Sequence, residues 1–243
     1  PLHLCIAMGL NKLAVRMIEA GAPVNAQTVF LHDGIKDPGD TPLIWACSAG
    51  IYQDSAAADR LPVVQALLSH GADPDLPGTG GITPFMWAAV LNNSDPEQEK
   101  IALALLDAGN PDLKRRLNAH ARGTGFSSLS TAILKRLIEA GCDVNERFFV
   151  SKQSPLHLLC TREEPPERVI PLIELLIKAG ADPNQLDVDG LTPLMACNSP
   201  EIALCLMNNG ANPSLRNEDG QTAYDFHMKN GYREIAEAIK KWQ

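Results

Sequence analysis

The chain has 243 residues, 45% hydrophobic and 5% aromatic, with a formal net charge of -8. That is enough apolar material for a folded core, while the acidic balance and the lack of any basic block disfavour binding to a phosphate backbone. No run approaches the roughly 18 consecutive apolar residues a membrane helix needs, and no secretory leader is visible.

Along the chain a short signature returns at Pro1-Leu2-His3-Leu4-Cys5, Thr41-Pro42-Leu43-Ile44-Trp45-Ala46, Thr83-Pro84-Phe85-Met86-Trp87-Ala88, Ser154-Pro155-Leu156-His157-Leu158, Thr192-Pro193-Leu194-Met195-Ala196 and Thr222-Ala223-Tyr224. The leading hydroxyl can accept from the orphan N–H groups of a helix start, and proline has its φ already suited to the first helical residue. Each copy therefore predicts a first helix. The apolar residues that follow, such as Leu43, Ala46 and Cys47, are mostly small, so a neighbouring helix can approach closely. Second helices are predicted where apolar residues recur at three- and four-residue intervals, as in Val63 to Leu68, Ile101 to Leu106 and Leu172 to Ile177.

Gly71, Gly109, Gly141, Gly180 and Gly210 sit just past these runs, where a residue of positive φ closes the last turn, and the Asp and Asn residues beyond favour a tight turn. The units read approximately 1–25, 39–75, 80–112, 113–145, 152–184, 189–214 and 219–243, in a single elongated domain. The fourth is degenerate or interrupted, since Asp112 to Leu129 carries no copy of the signature. The last is polar around Ile235, Ala236 and Ile239, as a terminal cap requires. Because Pro1 already lies inside a signature, residues upstream are expected in the full protein.

Signature and turn together resemble the ankyrin-repeat family, whose pattern is T-P-L-H-x-A at a period of about 33 residues. The resemblance implies an all-α solenoid of stacked helix pairs joined by short hairpins. Glycine-to-glycine spacings of 50, 38, 32, 39 and 30 depart from that period. The excess is expected as surface insertions at Gln27 to Asp40, Tyr52 to Leu61, Asn92 to Lys100 and Arg162 to Arg168. Apart from the first, these fall between the helices of a pair.

A reaction centre is harder to find. Six histidines, 29 carboxylates and six cysteines occur, but no C-x-x-C pair, and no metal or cofactor is expected. Most of the cysteines lie in helical segments, where a thiol behaves as a small hydrophobe, and buried reduced thiols point to a cytoplasmic compartment. His70 is expected to cap a helix C-terminus. The resemblance gives His3 and His157 a structural hydrogen bond between adjacent turns. Gly78-Thr79-Gly80-Gly81 lacks the lysine and preceding strand of a phosphate loop and reads as a turn between units. Asn92-Asn93-Ser94 matches a glycosylation acceptor, a pattern common by chance.

Recognition remains. The resemblance implies a concave groove lined by hairpin tips and by the exposed face of the first helices. It places Trp45 and Trp87 at one position of successive first helices, with Leu4, Leu158 and Phe226 at that position elsewhere; burial between helices is the competing reading. Phe148 and Phe149 stand in a hairpin where other units are polar. The expected function is a non-catalytic protein-binding module contacting its partner through Trp45, Tyr52, Trp87, Leu91, Phe148 and Phe149. Acidic insertions would steer a partner with a basic surface, and neither nucleic acid nor membrane is expected to bind. The alternatives are the recruiting portion of a larger enzyme, a secreted bacterial effector, or a dedicated inhibitor or immunity protein.

Overall fold

The computed structural model describes residues 1–32, 35–48, 59–90, 96–109, 130–147 and 151–242, with residues 29–32 and 35–38 as backbone. These residues fall into two compact units, Pro1–Ala140 and Gly141–Gln243. In the first unit α1 (Leu2–Ala7) pairs with α2 (Asn11–Glu19), α3 (Pro42–Ser48) with α4 (Leu61–Ser69), and α5 (Pro84–Val90) with α6 (Pro96–Ala108); α7 (Thr131–Glu139) follows. The helices α1, α3 and α5 stack as one layer and α2, α4, α6 and α7 as the other. In the second unit the pairs are α8 (Pro155–Cys160) with α9 (Pro166–Lys178), α10 (Pro193–Ala196) with α11 (Pro200–Asn208), and α12 (Ala223–Lys229) with α13 (Arg233–Trp242). There too first helices stack on first helices and second on second.

The helices start where the hydroxyls stand. Thr41 Oγ1 accepts from the Ile44 N–H at 3.2 Å, and Thr83, Thr192 and Thr222 do the same three residues on, each at 3.3 Å. Ser154 forms a capping box with His157, whose Nδ1 accepts from the Ser154 N–H at 3.1 Å. Each such cap contributes about 1 kcal/mol. The small residues then do what their size predicts: Ala46, Cys47, Ala88 and Ala89 have no exposed surface, so the first-helix layer closes tightly.

Polar stitches join consecutive pairs. Asn25 donates to the Gly71 carbonyl at 2.9 Å and accepts from the Asp73 N–H at 2.8 Å. Asn145 makes the same two bonds to Gly180 and Asp182, both at 2.8 Å, and Asn184 makes them to Gly210 and Asn212 at 3.0 and 2.7 Å. One amide thus satisfies both a carbonyl and an N–H of the next turn, something an ionised Asp, which has no donor, cannot do. The turn glycines Gly71, Gly141, Gly180 and Gly210 have φ between 84° and 98°, as the sequence predicts.

The insertions are less uniform than a set of surface loops. Within Gln27 to Asp40 the backbone forms an antiparallel ribbon, β1 (Val29–His32) against β2 (Ile35–Pro38), with Val29 opposite Pro38 and His32 opposite Ile35. The segments expected between helices at Asn92 to Lys100 and Arg162 to Arg168 are partly helical: α6 begins at Pro96 and α9 at Pro166. Both are 13 residues long, against nine in α2, α4, α7 and α11, so part of the excess length is an added N-terminal turn. Proline at the first helical position explains the start in each case.

These segments also turn inward. Arg60 is 7% exposed, Gln98 1% and Arg162 6%. Gln98 donates to the Cys47 carbonyl at 2.9 Å and accepts from Arg60 at 3.2 Å, while Glu97 receives the Arg60 and Leu61 N–H groups. Arg162 pairs with Glu164, and its carbonyl accepts from Asn198. Charged loop residues here close the end of a helix pair.

Candidate functional site

The position shared by successive first helices is neither core nor free surface. Leu4 is 62% exposed, whereas Trp45, Trp87, Leu158 and Phe226 are half-buried. Trp45 and Trp87 lie on α3 and α5, which stack directly. The Trp45 indole also meets the His3 ring edge-on, with centroids 5.5 Å apart and planes at 82°, which fixes its orientation. Tyr52, Leu91, Phe148 and Phe149 lie outside the described residues, as does the Asn92-Asn93-Ser94 acceptor. Of the six predicted contact residues, the described structure therefore covers the two tryptophans, on neighbouring helices.

The histidines whose side chains are described make structural contacts. His3 Nε2 lies 3.1 Å from the Asp40 carbonyl and His157 Nε2 3.0 Å from the Leu191 carbonyl, each bridging to the next pair. His70 Nδ1 lies 2.9 Å from the Ala66 carbonyl at the end of α4. His227 was not singled out in the sequence, yet it is 1% exposed, with Nε2 2.9 Å from the Leu194 carbonyl and 3.8 Å from Cys197 Sγ. It stands five residues after its capping threonine, where other units place Ala46 or Ala88, and that offset is the signal that could have found it. Burial lowers the pKa of His3, His157 and His227 from the ordinary imidazole value, so all three are neutral near pH 7.

Four of the six thiols are poor nucleophiles. Burial pushes Cys47 and Cys197 up to about 12 and Cys205 to about 11, and raises Cys160 as well, so all four stay protonated. Among the described residues no three His, Cys, Asp or Glu side chains gather as a metal site, and no helix is long and apolar enough to cross a membrane. The Gly78 to Gly81 segment is a single 3₁₀ turn with Gly78 pressed against Asp40; a Cβ there would stand 2.3 Å from Asp40 Oδ1. Asp40 also accepts from the Thr79 N–H at 2.9 Å, so the turn is a joint between units.

Two features of the surface escape sequence reasoning. Between α11 and α13 runs a groove of about 650 Å³ lined by Pro200, Leu204, Ala238 and Trp242, with the indole held by a 3.0 Å bond to Asn208. The other lies at the hairpin tips of the second unit, where Leu186 is 41% and Val188 46% exposed. Beside them Lys152 has φ +51°, the one non-glycine residue with positive φ among those described. Two residues before its helix cap, it occupies the place of Gly190 and Gly220.

Comparison with known proteins agrees with this architecture. A model of three ankyrin repeats matches residues 125–217 and a single-repeat model matches residues 38–79, together more than half of the chain. The chain belongs to the ankyrin-repeat family. Among curated relatives of this ankyrin-repeat chain, human "Ankyrin repeat and SOCS box protein 6" is 30% identical over 154 residues, 52% of this chain and 35% of that protein. Human "Protein phosphatase 1 regulatory subunit 27" is 39% identical over 71 residues, 28% of this chain and 46% of that one. The chain thus spans less than half the length of either. Two solved structures, the human ASB11 ankyrin repeat domain and the ankyrin repeat domain of Bcl-3, superpose with a TM-score of 0.66 at 20% and 21% identity. They cover 100% and 99% of this chain, and 97% of each of those chains, and they establish the shared fold.

Proposed function

We propose that this chain is a non-catalytic module that binds a partner protein along the edge formed by its first helices and hairpin tips. One observation carries the reading: Trp45 and Trp87, at the same position of the stacked helices α3 and α5, are both left half-buried. Aromatic anchors held by a rigid layer are what a binding hot spot requires, and a stiff stack loses little entropy on association. Tyr52, Leu91, Phe148 and Phe149 are proposed to extend this surface on sequence grounds. A partner with a basic surface suits the net charge of -8. An intracellular, reducing setting is supported by six cysteines that are all free thiols.

A recruiting role within a larger protein is favoured by the names of the relatives, one a phosphatase regulatory subunit and one carrying a SOCS box, the latter matched by this chain over only 35% of its length. The test is affinity capture from a lysate followed by mass spectrometry, with the intact chain against a Trp45→Ala/Trp87→Ala variant of matched helical circular dichroism. The variant is expected to lose the proteins the intact chain recovers. Recovery of the same set by both would overturn the surface assignment.

A further inference from the structure

The hairpin tips of the second unit form a continuous edge. The first tip carries Arg147, Ser151 and Lys152, the second Leu186 to Gly190 and the third Arg216 to Gly220. First and second are sewn together by the Val188 N–H donating to the Ser151 carbonyl at 2.9 Å and by Arg147 donating to the Leu186 carbonyl. Second and third touch so closely that a Cβ on Gly190 would stand 3.0 Å from the Glu218 amide nitrogen.

Charge along this edge is ordered. Arg216 faces Asp225 at 4.0 Å and Lys229 faces Asp219 at 3.8 Å, so those four charges are compensated within the chain. The charged groups of Lys152, Asp189 and Glu218 have no ion-pair partner among the described residues, and all three residues are exposed. Arg147, exposed and bonded only to carbonyls, is likewise without an ion pair among the described residues, so the uncompensated groups run from two cations on the first tip, through the apolar Leu186 and Val188 on the second, to carboxylates on the second and third. Lys152 also holds a left-handed backbone, which costs a non-glycine residue about 1 kcal/mol, where two sibling tips use glycine. Folding alone favours glycine there, so the side chain is retained against the preference of the backbone.

We propose that this edge binds an extended segment of a partner protein with an acidic residue at one end, an apolar centre and a basic residue at the other. The proposal rests on the protein-binding reading above and adds to it the chemistry and the polarity of the segment. The acid meets Lys152, the apolar centre covers Leu186 and Val188, and the base meets Asp189 and Glu218. Neighbouring helices within a layer pack about 8–10 Å apart, so the edge across three tips spans on the order of 20 Å. About six extended residues cover that distance.

The test is selection of a random octapeptide display library against the full chain, repeated with Lys152→Glu and with Lys152→Gly. Enriched peptides are expected to carry acid, apolar and base in that order along one direction. Lys152→Glu is expected to weaken them at least fivefold and to replace the enriched acid by a base, since exposed charge pairs contribute modestly but reverse sign on swapping. Lys152→Gly should weaken binding while raising the thermal midpoint, which separates loss of contact from loss of fold. Enrichment without charge polarity, or enrichment unaffected by Lys152→Glu, would overturn the edge and leave the protein-binding reading standing. Absence of enrichment over a Lys152→Glu/Asp189→Lys/Glu218→Lys chain would also overturn it, whereas the protein-binding reading fails separately in the capture experiment.

Discussion

At the scale of single residues, this protein uses its polar side chains to join backbone to backbone. His157 and His227 show how tightly. Each holds its Nε2 at hydrogen-bonding distance from a carbonyl, so Nε2 carries the proton and Nδ1 has no hydrogen. His157 Nδ1 accepts the Ser154 N–H, so a proton there would break the capping box. His227 Nδ1 is buried without a partner, on an imidazole flanked edge-on by the Phe226 and Tyr232 rings, so a charge there would be unsolvated. Folded-state pKa values below the unfolded value of about 6.5 mean that the unfolded chain takes up protons first. Stability is therefore full above about pH 6.5 and declines as the pH falls below it. Urea midpoints at pH 7.5 and 5.5 should show this loss, and a His227→Leu chain should lose less between the same two values. An equal loss in both would refute the assignment to His227.

At the scale of elements, length variation is absorbed by the second helices. Counting back from the turn glycines, Ile170–Lys178 of α9 corresponds to Leu61–Ser69 of α4, and Pro171 to Pro62. Pro171 is thus a proline of the usual helix start, left inside the helix when a turn was added before it. An exposed interior proline gives up one helical hydrogen bond and crowds the carbonyl four residues earlier. Replacing Pro171 with Ala should stabilise the protein by about 1–3 kcal/mol, read as a higher urea midpoint at unchanged slope. A neutral or lower midpoint would mean that the bend itself supports packing.

The sequence made the repeats legible because their signals are local: a hydroxyl, a proline and a turn glycine act within one or two helical turns. It left the Arg60, Gln98 and Arg162 clusters illegible, because Glu- and Pro-rich segments read as solvated. Only the approach of a neighbouring helix pair shows that these polar groups face inward. Trp45 and Trp87 were legible by register alone, whereas Leu186 and Val188, alternating with aspartates, gave no sign that both would remain exposed.

At the scale of the molecule, each compact unit is a row in which, among the described residues, the main contacts of a helix pair are with its neighbours. Energy in such a row is a sum of nearest-neighbour terms. Leu206 is fully buried in α11, and Leu206→Ala should cost about 2–5 kcal/mol. The accompanying rise in amide hydrogen exchange should be largest in α11 and in α9 and α13, which pack on either side of it, and smaller in α2 and α4 of the other unit. Uniform acceleration across both units would contradict this short-range picture.

The stitches also bear on how such a chain could have lengthened or shortened. Asn145 and Asn184 each grip main-chain atoms of the following turn, and His157 does likewise, so none depends on which side chain its acceptor carries. A duplicated or deleted segment brings its own hook and finds the same eye in any sibling. Splicing by recombination then needs no matching change elsewhere, and the order of the segments becomes free to follow whatever the exposed rim must grasp.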